Sequence, residues 1–370
     1  MSTSFDEQEQ KKPNEISDLE EPSFNEDDSP DQMPPPDVIA YNELRSCADL
    51  VRMYERNRLL TNPDFQRDFI WKNSVQTRFI DSLIKSLPIP SMCVALDNAT
   101  DERIVIDGRQ RMSTIVRFLE QKEKPWRLAR LDDIDPDISG KTSEQIKKDN
   151  PRYFDRVEEH TLPITVLRYD KGKQNHMDYI FKIFHRLNTG GEKLKNQEIR
   201  NCIYNGPLNR LLRDLDQVPG WRHLNHMKPG DNRRFVKQEL ILRFFAFFYQ
   251  EKEAYKGGMA KFLNDFMNKH RNDDDEEKKI IFQRVVSLLF SKIFNGKEPK
   301  ENIPANALYP IMVGVARNID VLENIQSSKL SGSYQALIKS EAFADKANLA
   351  NAAIVRNRLQ AAEDAFGSYS

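Results

Sequence analysis

The sequence predicts an α+β protein, in which a small sheet packed with helices is followed by a mainly α-helical region. Short apolar runs of strand type occur at 91–96, 103–106 and 162–169, and segments with helical spacing separate them. From Asn175 onward, Leu, Ile, Phe and Met recur almost only at i, i+3 and i+4, as on the buried face of a helix. These two textures indicate two folded domains.

The N-terminal residues have a third composition. Residues 1–37 contain twelve Asp or Glu, two Lys and almost no aliphatic side chains, so they cannot bury enough apolar surface to fold. We therefore predict a disordered acidic tail at 1–38, a sheet-containing domain at 39–204 and a helical domain at 205–370.

The folded body is basic once the tail is set aside. Its 333 residues carry 54 Lys and Arg against 45 Asp and Glu, a net charge of +9. Such a body favours polyanions such as DNA, RNA or nucleotides. The acidic tail either competes for the same surface or only keeps the chain in solution.

The individual elements of the sheet domain follow from local patterns. The turn "DNATDE" between the first two apolar runs predicts a hairpin. The preceding stretch "NSVQTRFIDSLIKSL" predicts a helix capped by Asn73 or Ser74. The polar stretch 131–151 is expected to be an exposed excursion. The buried face of the predicted helix contains Val75, Phe79, Ile80, Leu83 and Ile84.

The stretch "RIVIDGRQRMSTIVRFL" places two arginines where a strand turns into a helix. Arg109 and Arg111 fall in the first helical turn, where the helix dipole disfavours cations by several tenths of a kcal/mol each, on the order of 0.3–1. A phosphate bound between them would collect amide and guanidinium donors, and Ser113 or Thr114 would add a hydroxyl. The alternative is that the arginines pair with carboxylates such as those of Asp107 or Glu198.

Two further clusters are polar beyond what their local structure needs. "NPDFQRDFIW" carries Gln66 and Arg67 in an extended segment before the first amphipathic helix. "FHRLNTGGEKLKNQEIRN" ends a helix at a Gly-Gly stop. The second cluster crowds polar residues that suit a network around a bound group, namely Arg186, Asn188, Glu198, Arg200 and Asn201.

Several functional classes are disfavoured. The sequence has no P-loop, dinucleotide-binding loop or nucleophile elbow, and its two histidines in "HLNH" are too close together for an HNH nuclease or a separate metal site. The aromatic stretch "RFFAFFYQ" follows helical spacing and predicts core. The three cysteines are expected to be reduced. No apolar run is long enough for a membrane span and no signal peptide is evident, so we expect a cytoplasmic protein.

The order of the motifs resembles one family. "PDFQRDFIW", "IDSLIKSLPIPSM", "IDGRQRMSTI" and "FHRLNTGGEKLKNQEIRN" together resemble the GmrSD-type restriction enzyme N-terminal domain family, over roughly Leu59 to Asn201. That family is related to the ParB N-terminal and sulfiredoxin-like fold. The resemblance implies a small mixed sheet with helices, in which an Asp-Gly-Gln-Gln-Arg loop is associated with nucleotide binding and hydrolysis.

The resemblance also implies the site residues. Asp107, Gly108, Gln110 and Arg111 match the loop, whereas Arg109 replaces the usual glutamine. We take Asp107, Gln110 and Arg111 as candidate catalytic residues, and we name no metal ligand. The candidate binding residues are Gln66, Arg67, Gly108, Arg109, Ser113, Thr114, Asn188, Glu198 and Arg200.

The implied function is that of a nucleotide-binding component of a restriction or anti-phage defence system that acts on or senses DNA. A nucleoside triphosphate (GTP, ATP or CTP), with Mg²⁺, would be bound and hydrolysed. No histidine-rich ββα pattern follows Tyr204, so a nuclease would be a separate partner subunit. Sulfiredoxin chemistry needs a cysteine that the loop lacks. The alternative is a non-catalytic DNA-binding or scaffold protein of ParB-like type that recruits the nuclease.

Overall fold

The chain forms two compact units in a computed structural model that describes residues 33–60, 71–120, 125–187, 194–228, 235–273, 276–344 and 351–369. The first, here called the sheet unit, contains Met33–Leu194 and Ile199–Ile203. The second, here called the helical unit, contains Lys195–Glu198 and the residues from Tyr204 onward.

The sheet unit is built on five strands in the order β1-β5-β3-β4-β2. β1 pairs with β5 and β3 pairs with β4 in antiparallel fashion, whereas β3–β5 and β2–β4 are parallel. The predicted mixed sheet and the β3–β4 hairpin are thereby confirmed. The strands are β1 (Ile39–Ser46), β2 (Leu59–Leu60), β3 (Met92–Asp97), β4 (Arg103–Asp107) and β5 (Thr161–Tyr169).

Six helices accompany these strands, and their ends carry local start signals. The Ser46 hydroxyl accepts from the Asp49 N–H at the start of the first helix. Thr142 and Gln145 form a capping box at the fourth, and Pro151 opens the fifth. The helices are α1 (Cys47–Glu55), α2 (Asn73–Ile84), α3 (Arg109–Leu119), α4 (Ser143–Asp149), α5 (Pro151–Glu159) and α6 (Gln174–Leu187).

The main core of the sheet unit lies between one face of the sheet and helices α1 to α5. Because strand side chains alternate between faces, Val94 and Ile164 point into the same layer as Val105 on the neighbouring strand. The helices contribute fully buried side chains such as Ile80 and Ile115. α3 is therefore fixed against the sheet along its whole apolar stripe.

The segment 131–151 is not the exposed excursion that its polar composition predicts. Ile134, Ile138 and Ile146 are buried in the core of the sheet unit. The backbone N–H of Asp135 also donates to the Asp81 carboxylate at 3.0 Å, which ties the segment to α2. Three widely spaced isoleucines therefore hold the segment in the core although most of its residues are polar.

The predicted buried face of α2 is partly wrong. Val75 is 40% exposed, whereas Gln76 and Thr77 are buried. At about 100° per residue, Val75 lies roughly 140° from Ile80 around the helix, outside the stripe that Ile80 and Leu83 define. The observed stripe takes up Gln76 because its side chain has hydrogen-bond partners inside the unit.

The predicted N-cap of α2 is also wrong. The helix has Lys72 as N-cap, without a capping side chain. The Asn73 amide instead accepts from the Trp126 indole N–H at 2.7 Å and donates to the Arg127 carbonyl at 3.1 Å. A tertiary contact thus uses the side chain that local chemistry would assign to the cap.

The helical unit has a densely aromatic interior. α10 is buried along most of its length, including Phe244, Phe245 and Phe247, as "RFFAFFYQ" predicts. Its described helices, numbered from the one that opens near the boundary, are α7 (Asn196–Ile203, whose last residues belong to the sheet unit), α8 (Pro207–Asp216), α9 (Pro219–Leu224), α10 (Val236–Tyr249), α11 (Met259–His270), α12 (Glu276–Leu288), α13 (Ala305–Arg317), α14 (Ile319–Leu322), α15 (Ser327–Ile338), α16 (Glu341–Ala344) and α17 (Ala352–Gly367).

Two further expectations concern the whole chain. Cys47, Cys93 and Cys202 are free thiols and all three are buried. Within the ranges that the structure describes, every helix is too short or too polar to cross a lipid bilayer.

Ile138→Ala tests the placement of the segment 131–151. Removal of a fully buried isoleucine side chain should lower the free energy of unfolding by about 2–5 kcal/mol. Val75→Ala serves as the control, because this half-exposed side chain should cost less than about 0.5 kcal/mol. Chemical denaturation of both variants measures the difference, and equal losses would contradict the packing of this segment.

Candidate functional site

The junction between β4 and α3 depends on one glycine. β4 ends at Asp107, Gly108 has φ of +94°, and α3 begins at Arg109. This left-handed conformation favours glycine. A Cβ at this position would also lie 2.5 Å from Cγ of the buried Met92 on the neighbouring strand. The Asp-Gly pair is therefore what lets the chain pass from strand to helix in such a tight space.

The first backbone N–H groups of α3 have no capping or acidic side chain from the helix itself. Its first intrahelical bond runs from the Met112 N–H to the Gly108 carbonyl at 2.9 Å. The N–H groups of residues 109–111 precede that bond and have no intrahelical acceptor. In the part of the chain that the structure describes, no side chain caps the helix, and its first turn contains no carboxylate.

Arg111 is held by three acceptors. Its guanidinium donates to the Asp107 carboxylate at 2.8 Å, to the Ser91 carbonyl at 3.3 Å and to the Pro90 carbonyl. The Arg111 side chain is 13% exposed, whereas that of Asp107 is 42% exposed. Burial lowers the pKa of Arg111, and the nearby Asp107 charge opposes this effect. Arg111 is therefore paired with Asp107, which was the expected alternative to a bound phosphate.

Arg109 is positioned differently. Its Nε donates to the Val105 carbonyl at 3.0 Å, and its guanidinium lies over the ring of Phe184 in α6, 5.2 Å from the ring centre. A cation over an aromatic face is attracted by the ring quadrupole. The side chain is half-buried, and it is directed from the first turn of α3 along β4 towards α6.

Gln110 connects the loop to the first polar cluster. Its side-chain oxygen accepts from the backbone N–H of Trp71 at 3.0 Å. The Trp71 carbonyl in turn accepts from Gln76, whose own oxygen accepts from Arg117 at 3.0 Å. The end of "NPDFQRDFIW" is therefore fixed beside the start of α3. Gln66 and Arg67 themselves lie outside the described residues.

The two hydroxyl candidates differ. The Thr114 hydroxyl donates to the Gln110 carbonyl at 2.7 Å, and its side chain is buried. This bond runs back along the helix to a backbone carbonyl of its first turn, so the hydroxyl proton is already used within the helix. Ser113 is half-buried on the adjacent face. Of the two, only Ser113 is not turned into the interior.

The third cluster contributes buried charged groups. Arg200 is fully buried, and its guanidinium lies 5.9 Å from the ring centre of Phe181, one turn before Phe184 on α6. Arg109 and Arg200 therefore each lie against a phenylalanine ring of α6, and the two rings are neighbours on that helix. Glu198 is also fully buried and accepts from the Lys195 N–H at 2.5 Å. Asn188 lies outside the described residues.

Sequence analysis missed several of the partners that fix these arginines. The carbonyls of Pro90 and Ser91 anchor Arg111, and they belong to a segment that shows only a loop followed by a strand. Phe181 and Phe184 were expected only as apolar residues of an amphipathic helix. Carbonyl acceptors have no sequence signal, because every residue has one.

The thiol of Cys93, next to the candidate site, is expected to be unreactive. Cys93 pairs in register with Asp107 across the β3–β4 ladder. Burial raises the pKa of the Cys93 thiol to about 12, and the Asp107 charge adds to the effect. A neutral thiol is a poor nucleophile.

The histidines of "HLNH" face one carboxylate in the helical unit. The Nδ1 atoms of His223 and His226 lie 3.1 Å and 3.5 Å from different oxygens of Glu298. Across the described ranges, no three His, Cys, Asp or Glu side chains converge as a metal ion requires. The hydrogen bond between His223 and Glu298, with His226 close to the same carboxylate, accounts for the position of this pair.

Comparison with known proteins gives one result. Residues 47–205 match the model of the family described as GmrSD restriction endonuclease, N-terminal domain. The match spans β2 to β5 and α1 to α6 and includes the whole junction at Gly108. The chain has no match among the curated proteins or the solved structures. The relation to ParB and sulfiredoxin therefore stays a prediction.

Gly108→Ala should destabilise the sheet unit more than a left-handed glycine alone explains. The control is Gly296→Ala, since Gly296 has φ of +69° and a Cβ there would meet nothing within 4 Å. We expect a loss of about 1 kcal/mol for the control. We expect about 2 kcal/mol or more for Gly108→Ala, because the Cβ also collides with Met92. Equal losses in denaturant melts would show that Met92 moves aside without cost.

Proposed function

Residues 47–205 belong to the GmrSD restriction endonuclease N-terminal domain family, and from this premise we propose that the start of α3 binds the phosphates of a nucleoside triphosphate. Membership of this family implies a component of a restriction system that acts on DNA. In the proposal, nucleotide binding at Asp107–Arg111 gates that action. The observation that carries it is an uncapped helix N-terminus with two arginines in its first turn.

The geometry supports a phosphate better than another anion. A phosphate can accept from the N–H groups of residues 109–111 and from guanidinium groups at once. Arg111 is held by Asp107 and two carbonyls before any ligand arrives, so less side-chain entropy is lost on binding. Arg109 replaces the glutamine of the family loop, and its guanidinium, which lies over Phe184, would have to turn towards the helix start to reach the same phosphate.

The proposed catalytic roles follow from exposure and position. Asp107 is a partly exposed carboxylate at the helix start, and it fits Mg²⁺, which proteins commonly hold through one or two carboxylates together with substrate phosphates. Mg²⁺ would offset phosphate charge. Arg111 would stabilise charge that develops during phosphoryl transfer. The side-chain oxygen of Gln110 accepts from the Trp71 N–H, so the side-chain N–H₂ is the end that can face a ligand.

Nucleotide binding by single-arginine variants tests this proposal. Arg109→Gln and Arg111→Gln should each weaken binding of the preferred nucleoside triphosphate by roughly 10- to 100-fold, because each removes a charge-assisted hydrogen bond worth about 1.5–3 kcal/mol. Isothermal titration against the four nucleoside triphosphates, with and without Mg²⁺, measures the affinity. Phosphate release, assayed with and without DNA, measures turnover.

Arg52→Gln is the matched control for this experiment. Arg52 lies on α1, where it forms an exposed ion pair with Asp49, so its loss should leave nucleotide affinity unchanged. Thermal melts of all three variants identify any loss of folding. The proposal is wrong if the wild-type chain binds none of the four nucleotides, or if the three variants bind equally well.

A second candidate function is DNA binding without turnover. The observation that favours it is the net charge of +9 on residues 38–370. In the described residues, moreover, every strand lies before Asp170 and only helices follow Tyr204, so no ββα nuclease motif is present there. Both points favour a chain that holds DNA while a partner subunit cuts it.

The salt dependence of DNA affinity tests this second candidate. If the chain contacts six to ten phosphates, its affinity for duplex DNA should fall by roughly 10³- to 10⁵-fold between about 50 and 200 mM salt. A full-length variant with the eleven Asp and Glu of residues 1–32 replaced by Asn and Gln should bind more tightly if the tail competes. Fluorescence anisotropy measures both, and a flat salt response would exclude a phosphate-dominated interface.

A further inference from the structure

The edge of the sheet opposite the candidate site is an open strand. β1 is eight residues long and pairs with β5 on one side only, within the described part of the sheet. We propose that β1 is the interface of a two-fold dimer, in which β1 of one chain pairs antiparallel with β1 of a second copy. The inference is independent of nucleotide binding, because it uses none of the residues at the start of α3.

β1 lacks most of the features that normally protect an edge strand. Natural edges are blocked by Pro, charged side chains such as Lys, a bulge or a very short strand. Of these, β1 has only the charged pair Glu43 and Arg45, whose opposite signs can face each other across an antiparallel strand pair. The sequence "IAYNELRS" contains neither Pro nor Lys, and its register with β5 runs without a bulge from Ile39 to Ser46. Ile39 and Leu44 are 54% and 71% exposed. A long, regular and partly apolar edge is one that is suited to pairing.

Pairing with β5 determines which residues of β1 direct their backbone N–H and C=O groups to the open edge. The Cys47 N–H donates to the His160 carbonyl at 2.9 Å, directly after the pairing of Ser46 with Thr161. In an antiparallel ladder, alternate residues direct both backbone groups to the same neighbour. Odd-numbered residues of β1 therefore bond to β5. Ala40, Asn42, Leu44 and Ser46 direct their N–H and C=O groups to the open edge.

The strand is complementary to itself about Leu44. When two β1 strands run antiparallel with Leu44 opposite Leu44 of the second copy, Asn42 faces Ser46, and both residues have outward backbone groups. Glu43 then lies opposite Arg45 of the second copy, and this pair occurs twice. Opposite charges in facing positions stabilise a strand pair. A surface in which residue i meets j and j meets i is what a two-fold dimer requires.

The charges also select this register over its neighbours. Centring the pair on Glu43 would place Glu43 against itself, which is unfavourable. Centring it on Asn42 would place Glu43 against Tyr41 and leave Arg45 without a facing carboxylate. Within one chain, Arg45 and Glu43 already form a 2.8 Å ion pair on one face of β1. Pairing at Leu44 joins the Glu43–Arg45 pairs of the two copies into one network of four side chains with alternating charge.

Charge reversal tests the proposal in solution. Sedimentation velocity of the full-length chain should give about twice the monomer mass of 43.2 kDa at micromolar concentration. Glu43→Arg creates two Arg–Arg pairs and should raise the dimer Kd at least about tenfold. The double variant Glu43→Arg with Arg45→Glu should restore it. Asp133→Arg, which breaks a more exposed ion pair with Arg78 outside β1, should leave the dimer unchanged.

Disulfide trapping tests the register. Leu44→Cys should form a covalent dimer on mild oxidation, since facing strand residues lie within the Cα separation of a disulfide. Asn42→Cys should not, and the three native cysteines are buried and should not contribute. A monomeric wild-type chain, or a double charge variant that stays as weak as Glu43→Arg, would overturn the dimer. Trapping through Asn42→Cys instead of Leu44→Cys would overturn the register.

Discussion

The ion pair between Asp107 and Arg111 is the contact on which the geometry of the candidate site depends. It spans the left-handed turn at Gly108 and joins the last residue of β4 to the first turn of α3. Two carbonyls before β3 hold the other side of the same guanidinium. Strand, loop and helix are therefore fixed to one another at a single cation. Any ligand at the helix start meets a surface that is already ordered.

Two electrostatic effects compete at this cation. Burial disfavours the charged guanidinium and lowers its pKa, but an arginine pKa lies so far above neutrality that the group stays charged at neutral pH. The helix dipole adds about half a positive charge at the same end. Asp107 offsets the charge of Arg111, whereas the first turn of α3 contains no carboxylate. These charges are the electrostatic basis of the anion binding that we propose at the start of α3.

The sequence predicted β3, β4 and β5, the hairpin and the start of α3, because each follows from local periodicity and turn chemistry. It did not predict β1 or β2. It failed for the segment 131–151, where three separated isoleucines outweigh a polar composition. It also failed for Asn73, since a tertiary bond to Trp126 took over a capping side chain. The partners of Arg111 could not be predicted, because backbone carbonyls far along the chain leave no mark in the sequence. Predictions from local sequence patterns are therefore wrong at positions whose structure depends on residues far away in the sequence.

One side chain links the proposed dimer edge to the candidate site. The Ser91 carbonyl accepts from Arg111, and the Ser91 hydroxyl lies 3.1 Å from the Thr165 hydroxyl, which donates to the side-chain oxygen of Asn42 on β1. Cys93, Thr165 and Asn42 occupy one row across β3, β5 and β1. A hydrogen-bonded path thus crosses the sheet from the candidate site to its open edge. Pairing of two β1 strands would place two such sites on one continuous sheet, so that the register of the edge would set the distance between them.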